Sequence, residues 1–212
     1  MRIAIDGPAA SGKGTIAKGL AKTFNLPHLD TGLLYRAVGL TVRDVPELNF
    51  EEEAIAAARS IDPSQLDPEK LGRAKVAKLA SRVARIPKVR EALRDYQVNF
   101  ANQPGGAVLD GRDIGTTICP DAEVKIFVTA SPETRARRRA DQMASQGYDI
   151  GYDEMLRQIE SRDEADRNNP AGAFYVADEA HLLDTSQLDI EAALRAAIAI
   201  VNQAMAGQPG SE

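Results

Sequence analysis

The feature that most constrains the fold is the opening of the chain, where Met1-Arg-Ile-Ala-Ile-Asp6 runs straight into Gly7-Pro-Ala-Ala-Ser-Gly-Lys-Gly-Thr15. A short apolar strand ends in a glycine-rich turn and a helix begins at once. Gly7 and Gly12 let the backbone bend so that its N–H groups face a phosphate chain. The helix start adds partial positive charge, and Lys13 adds a full charge for the terminal phosphates. Gly7, Pro8, Ala9, Ala10, Ser11, Gly12, Lys13, Gly14 and Thr15 are therefore the candidate phosphate-binding residues. The strict pattern places Ser or Thr directly after Lys. Here Gly14 intervenes, so Thr15 is a candidate metal ligand for which no direct bond is dictated.

Short apolar runs at 2–6, 27–30, 106–110, 124–129 and 181–184 read as strands buried on both faces. Helical patterns at 13–24, 32–43, 87–102, 132–145, 153–167 and 190–206 separate them. The alternation predicts an α/β fold: a five-stranded parallel sheet flanked by helices, with ligands beyond the carboxyl ends of the strands. The expected organisation is one domain, 1–206, with a core of 1–45, 87–130 and 179–206. Segments 46–86 and 131–178 carry helical patterns without an obvious strand and are expected to form a flap and a lid. A flexible tail is expected at 207–212. Asp6, Asp30, Asp110 and Asp184 close strands at one sheet edge, which fits a metal–nucleotide site, with Asp184 expected instead to cap a loop.

Composition narrows the partners. A net charge of −5, 5% aromatics and no Trp exclude a basic or stacking nucleic-acid surface. No stretch approaches the roughly 18 apolar residues of a membrane span. The phosphate loop starts at residue 7, and the one cysteine, Cys119, allows no internal disulfide, so a cytoplasmic protein is expected. The acidic charge and the lack of a long apolar surface helix make a monomer the expectation. No Asn-Lys-x-Asp run supports a guanine-nucleotide switch.

Three further constellations carry chemistry. In Leu29-Asp-Thr-Gly-Leu-Leu-Tyr-Arg36 a strand end turns into a helix. Thr31 is a candidate cap and Arg36 a surface cation, or both approach a substrate phosphate to which Arg36 offers a planar fork. In Ala107-Val-Leu-Asp-Gly-Arg-Asp-Ile-Gly-Thr116 a strand delivers Asp110, placed to hold Mg²⁺ directly or through water, followed by Arg112 and Asp113. After Ser131-Pro132, a helix N-cap and first residue, Arg135, Arg138 and Arg139 share one helix face and repel unless acids or an anion neutralise them. Arg162 and Asp166 stand one turn apart, where an intrahelical ion pair is the simplest reading.

These residues together resemble the bacterial cytidylate kinases, over about residues 2–204. The Gly-Lys-Gly-Thr loop is similar to that of nucleoside monophosphate kinases generally. Ser81 with Pro87-Lys-Val-Arg90, Asp110-Gly-Arg-Asp-Ile-Gly-Thr116 and Arg162-Asp…Asp166-Arg167 make the likeness specific. The resemblance implies a P-loop nucleoside-monophosphate-kinase fold with a monophosphate-binding flap and a lid, and transfer of the terminal phosphoryl of ATP to CMP or dCMP with Mg²⁺. It implies that Arg36 and Arg112 hold the acceptor phosphate, that Ser81, Arg90 and Asp113 read cytosine, and that Arg162 and Asp166 approach the ribose and phosphate. Lys13, Arg135 and Arg139, with Arg112, would neutralise the transferring phosphoryl. A kinase of UMP or AMP is the alternative. Two departures stand out. Relatives often carry a small β-sheet in the flap, for which 61–71 is too short, so the flap is expected to be helical. Relatives also carry an arginine where this chain has Asn169, which implies an altered CMP-versus-dCMP preference or a different lid contact, from Arg167.

Overall fold

The computed structural model describes residues 1–71, 74–172 and 174–207. Most of the expected tail, 208–212, lies outside the described residues. In chain order the elements are β1 (Arg2–Asp6), α1 (Lys13–Phe24), β2 (His28–Asp30), α2 (Thr31–Thr41), α3 (Phe50–Ser60), a short α4 (Pro68–Leu71) and α5 (Ala74–Val83). They continue with α6 (Pro87–Ala101), β3 (Ala107–Gly111), a π-helical turn (Ile114–Ile118), β4 (Val124–Thr129), α7 (Pro132–Ser145), α8 (Tyr152–Arg167), β5 (His181–Asp184) and α9 (Ile190–Ala206).

All sheet pairings are parallel, in the order β2-β3-β1-β4-β5. β1 is central, which is why Ile3, Ala4 and Ile5 are buried without alternation. One face of the sheet packs on α1 and α9 through Ile16, Leu20, Val128, Ala197 and Val201. A second cluster, Leu34, Val38, Phe50, Ala54, Val83, Val89 and Leu93, joins α2 to α3, α5 and α6. The described part of 46–86 is thus helical and built on α2 and α6, as the short sequence between its prolines required. α7 and α8 form a pair around Ala136, Met143, Met155 and Ile159, with Ala9 of the phosphate loop inserted between them.

The expected strands and helices are present with small shifts. β3 ends at Gly111 rather than Asp110, because Gly111 pairs in register with Asp6. α2 begins at Thr31, with Asp30 as its N-cap accepting from the Gly32 N–H at 2.9 Å. Thr31 is therefore not the cap. Ser131 caps α7 as expected, its hydroxyl accepting from the Thr134 N–H. None of the described helices is long and apolar enough to cross a membrane.

Candidate active site

The strand order reverses on either side of β1, so the loops after β1 and β3 meet at one crevice. The loop after β1 is built for an anion. Gly7 lies so close to β4 that a Cβ there would stand 2.1 Å from the Val128 carbonyl oxygen. Gly12, the residue before α1, has φ 91, and Ala10 takes the left-handed conformation (φ 60) despite its side chain. No side chain caps the N-terminus of α1 and no acid sits in its first turn, which leaves its positive end for a ligand.

Two arginines of α7 grip this loop from behind. Arg138 donates to the Ser11 carbonyl at 3.4 Å and to Thr185. Arg135 is 3% exposed and fully engaged. It donates to the carbonyls of Ala130 and Ala9 and makes a bidentate pair with Asp163 at 2.9 and 2.6 Å. In this structure Arg135, expected at the transferring phosphoryl, braces the phosphate loop from behind through these partners. Carbonyls drawn toward α7 leave the loop amides free to face the crevice.

In the crevice cations converge. Lys13 Nζ stands 3.9 Å from Asp110 Oδ1. Burial, then the Arg112 charge, lowers the Lys13 ammonium to about 8. Burial and then Arg112, with Arg36 and Arg139 adding, lowers Arg162 to about 10. Arg139 is lowered by burial and by Arg36. The Nε of Arg162 is buried and has no hydrogen-bond partner among the described residues. The expected Arg162–Asp166 pair does not form. Asp166 instead accepts from Arg112 Nε at 2.9 Å, so α8 is tied to the loop after β3. A group of like charges with an orphaned donor, in a protein of net charge −5, is a site shaped for polyanionic phosphate.

The acceptor side lies between α5 and α8, where a cleft of about 430 Å³ is lined by Ser81, Arg82, Arg85, Asp166 and Asn169 among others. Asp113, 8% exposed, is ion-paired with Arg90, and neither residue lines this cleft. Gly172 packs on the Arg90 guanidinium, where a Cβ would come within 3.0 Å. Asn169 donates to the Ala84 carbonyl at 3.2 Å and accepts from the Ala171 N–H, so it links the end of α8 to the end of α5. Thr31 is 3% exposed and its hydroxyl donates to the Asp110 carbonyl, which ties α2 to β3 and leaves only oxygen lone pairs for any ligand. A larger cleft of about 700 Å³ between Pro132 and α8 contains none of the predicted site residues.

The four strand-end carboxylates do not gather into one metal site. Asp30 caps α2, Asp184 caps the turn at Ser186, and Asp6 accepts two backbone N–H groups. Among the described residues no three His, Cys, Asp or Glu side chains form a group that could hold a metal. Asp110 faces Lys13, with its Oδ2 engaged by His28 Nε2 at 2.8 Å. A single hard carboxylate oxygen fits Mg²⁺ whose other ligands are phosphate and water. Thr15 is exposed in the first turn of α1. The role of His28 was missed from sequence, because only strand pairing in register brings it beside Asp110.

Asp6 yields a stability prediction. Burial raises its carboxyl to about 6, against the opposing pull of the Gly115 and Ile114 N–H groups. A raised carboxyl means the folded state binds the proton more tightly than the unfolded one. The cost of ionising it is absent below the unfolded value of about 4 and fully present above 6. Relative to the native protein, Asp6→Asn should therefore gain about 3 kcal/mol between pH 4 and pH 7. Denaturant midpoints of both proteins across that range check it, and a pH-independent difference would refute it.

Residues 3–203 match the family model described as cytidylate kinase. The chain is 55% identical to the cytidylate kinase of Xanthobacter autotrophicus, over 98% of this chain and 100% of that protein. It is 54% identical to that of Rhodopseudomonas palustris, over 98% and 99% respectively. Among solved structures, an uncharacterized protein from Eubacterium ventriosum superposes with a TM-score of 0.55 at 13% identity, covering 95% of this chain and 98% of that one, a likeness of fold.

Proposed function

The chain belongs to the cytidylate kinase family, and from that premise we propose how its residues divide the work of ATP-dependent CMP phosphorylation. The reaction moves the terminal phosphoryl of ATP onto a phosphate oxygen of CMP, breaking the bond to the β-phosphate oxygen and releasing ADP. The observation that carries the reading is the pair of facing pockets. Here that pair means two groupings: the uncapped phosphate loop with Lys13 beside Asp110, and the loop after β3, where Arg112 is tied to Asp166 of the Ser81-lined cleft and Asp113 to Arg90. Arg36, Arg112 and Arg139 stand close enough to act on Arg162, and Arg36 on Arg139.

The loop 7–15 binds the ATP phosphates through backbone N–H groups, and Lys13 neutralises the charge that develops on the transferring group. Arg36 and Arg112 hold the CMP phosphate. Arg112 is kept in place by Asp166. Arg139 and Arg162 supply further positive charge, and no covalent enzyme intermediate is needed. Asp110 is the residue that would hold Mg²⁺, directly or through water, and the ion would supply positive charge against the repulsion of the ATP phosphates. Arg90 donates to the cytosine ring nitrogen and carbonyl, and Asp113 and Ser81 accept from its amino group. Uracil would set a carbonyl against Asp113 and leave buried polar groups unpaired, which is how such sites discriminate. The 46–86 segment acts as the monophosphate-binding flap and 131–178 as the lid, whose closure excludes water.

ADP release measured with CMP, dCMP, UMP and AMP tests this directly. CMP and dCMP should exceed UMP and AMP by about 100-fold in kcat/KM, and equal turnover of UMP would overturn the base assignment. Asn169 touches backbone at the position where the family resemblance implies a cation. Asn169→Arg should shift the CMP-to-dCMP ratio of kcat/KM by about threefold or more, and an unchanged ratio would remove Asn169 from sugar recognition.

A further inference from the structure

Asp6 ends β1 and immediately precedes the phosphate loop. It is 5% exposed, and its two oxygens are used separately. Oδ1 accepts the Ile114 N–H at 2.9 Å and Oδ2 the Gly115 N–H at 2.8 Å. Those amides open the π-helical turn directly after Arg112 and Asp113. The contact spans more than a hundred residues of sequence and joins the two loops that line the crevice.

We propose that Asp6 is a positioning residue for the acceptor pocket: its carboxylate, fixed on the central strand, sets where Arg112 and Asp113 stand relative to the phosphate loop. This rests on the reading of those two residues as acceptor ligands.

The strand end cannot shift, because Gly7 is pressed against the Val128 carbonyl. Ile114 is fully buried in the cluster of Leu29, Leu109 and Ile118. Residues 112–113 are therefore held by β3 on one side and by Asp6 on the other. Each is ion-paired once, Arg112 with Asp166 and Asp113 with Arg90, so a displaced turn disturbs both pairs together. The demand for a carboxylate is specific. Two N–H donors need two acceptor oxygens on one rigid group, and an amide offers one acceptor and one clashing donor. Burial opposes the charge and pushes the carboxyl to about 6. An ionisable group at such a place serves stability poorly and serves geometry well.

The test is Asp6→Asn, with thermal unfolding measured first to confirm a folded protein. KM for CMP should rise about tenfold while KM for ATP stays within about twofold, because the phosphate loop is held independently by Arg135 and Arg138. Exchange of the Ile114 and Gly115 amide hydrogens should accelerate by a similar factor. Parallel changes in both KM values, or no change in either, would overturn the inference. If Asp6→Asn does not fold, Asp6→Ser, which keeps one acceptor, is read by the same KM split. Asp113→Asn is measured alongside. If it leaves the CMP-to-UMP preference intact, the base-reading assignment fails, while the KM split still decides the role of Asp6.

Discussion

Lys13→Ala should lower kcat by about 10³-fold, about 4 kcal/mol of transition-state stabilisation. KM for CMP should stay within about twofold of the native value. The asymmetry follows from placement. Lys13 is the first residue of α1, and on the proposed reading the loop amides that cradle the ATP phosphates remain after its removal. What is lost is a charge aimed at the group in transit. The ion contact to Asp110 at 3.9 Å is loose, so the ammonium is free to move onto phosphate. A pH signature accompanies the mutation. Burial and Arg112 lower Lys13 to about 8 in the free protein, so its protonated fraction falls as pH rises through that value. The native kcat/KM for ATP, which reports the free enzyme, should decline above about pH 8, and Lys13→Ala should lack that limb. A variant with undiminished kcat, or one that keeps the alkaline limb, would contradict the role of Lys13.

Much of this arrangement is legible in the residues, and what is not has identifiable causes. The strands read as plain apolar runs, and Ser131-Pro132 marks a helix start, so the bounds of β1, β4, β5, α1, α7 and α9 coincide with expectation, although β5, at the sheet edge, is largely exposed rather than buried on both faces. The π-helical turn at Ile114–Ile118 leaves no local signal, because its first amides are satisfied by a carboxylate on another strand. The arginines of α7 show the limit most clearly. Spacing places Arg135, Arg138 and Arg139 on one face, yet their fates differ with partners on other elements. Asp163 of α8 buries Arg135, Thr185 after β5 takes Arg138, and Arg139 is left near Arg36. Periodicity resolves a helix face, whereas a site requires knowing which side chain on that face has already been neutralised. His28 beside Asp110 is the same lesson in a sheet: the strand was foreseen, but the neighbour depends on register.

Arg162→Met should move stability and activity in opposite directions. Arg162 is lowered to about 10 by burial and by Arg112, Arg36 and Arg139, with Asp166 opposing and already paired to Arg112. A depressed arginine means that the folded state disfavours the charged form. That cost is present in full at pH 7 and is relieved only as pH rises through about 10, which places it on the order of 3 kcal/mol at neutrality. The unpartnered Nε adds a second penalty of the same sign. Methionine keeps the length of the side chain and removes both, so the ligand-free variant should melt about 4–8 °C higher than the native protein. Bound CMP phosphate is the anion that would offset the charge, so the same substitution should lower kcat/KM for CMP by about 100-fold or more. Added CMP should then raise the melting temperature of the native protein more than that of the variant. A variant that melts lower and keeps its activity would make Arg162 an ordinary structural arginine. The opposed shifts would identify a charge that the fold tolerates because the ligand neutralises it.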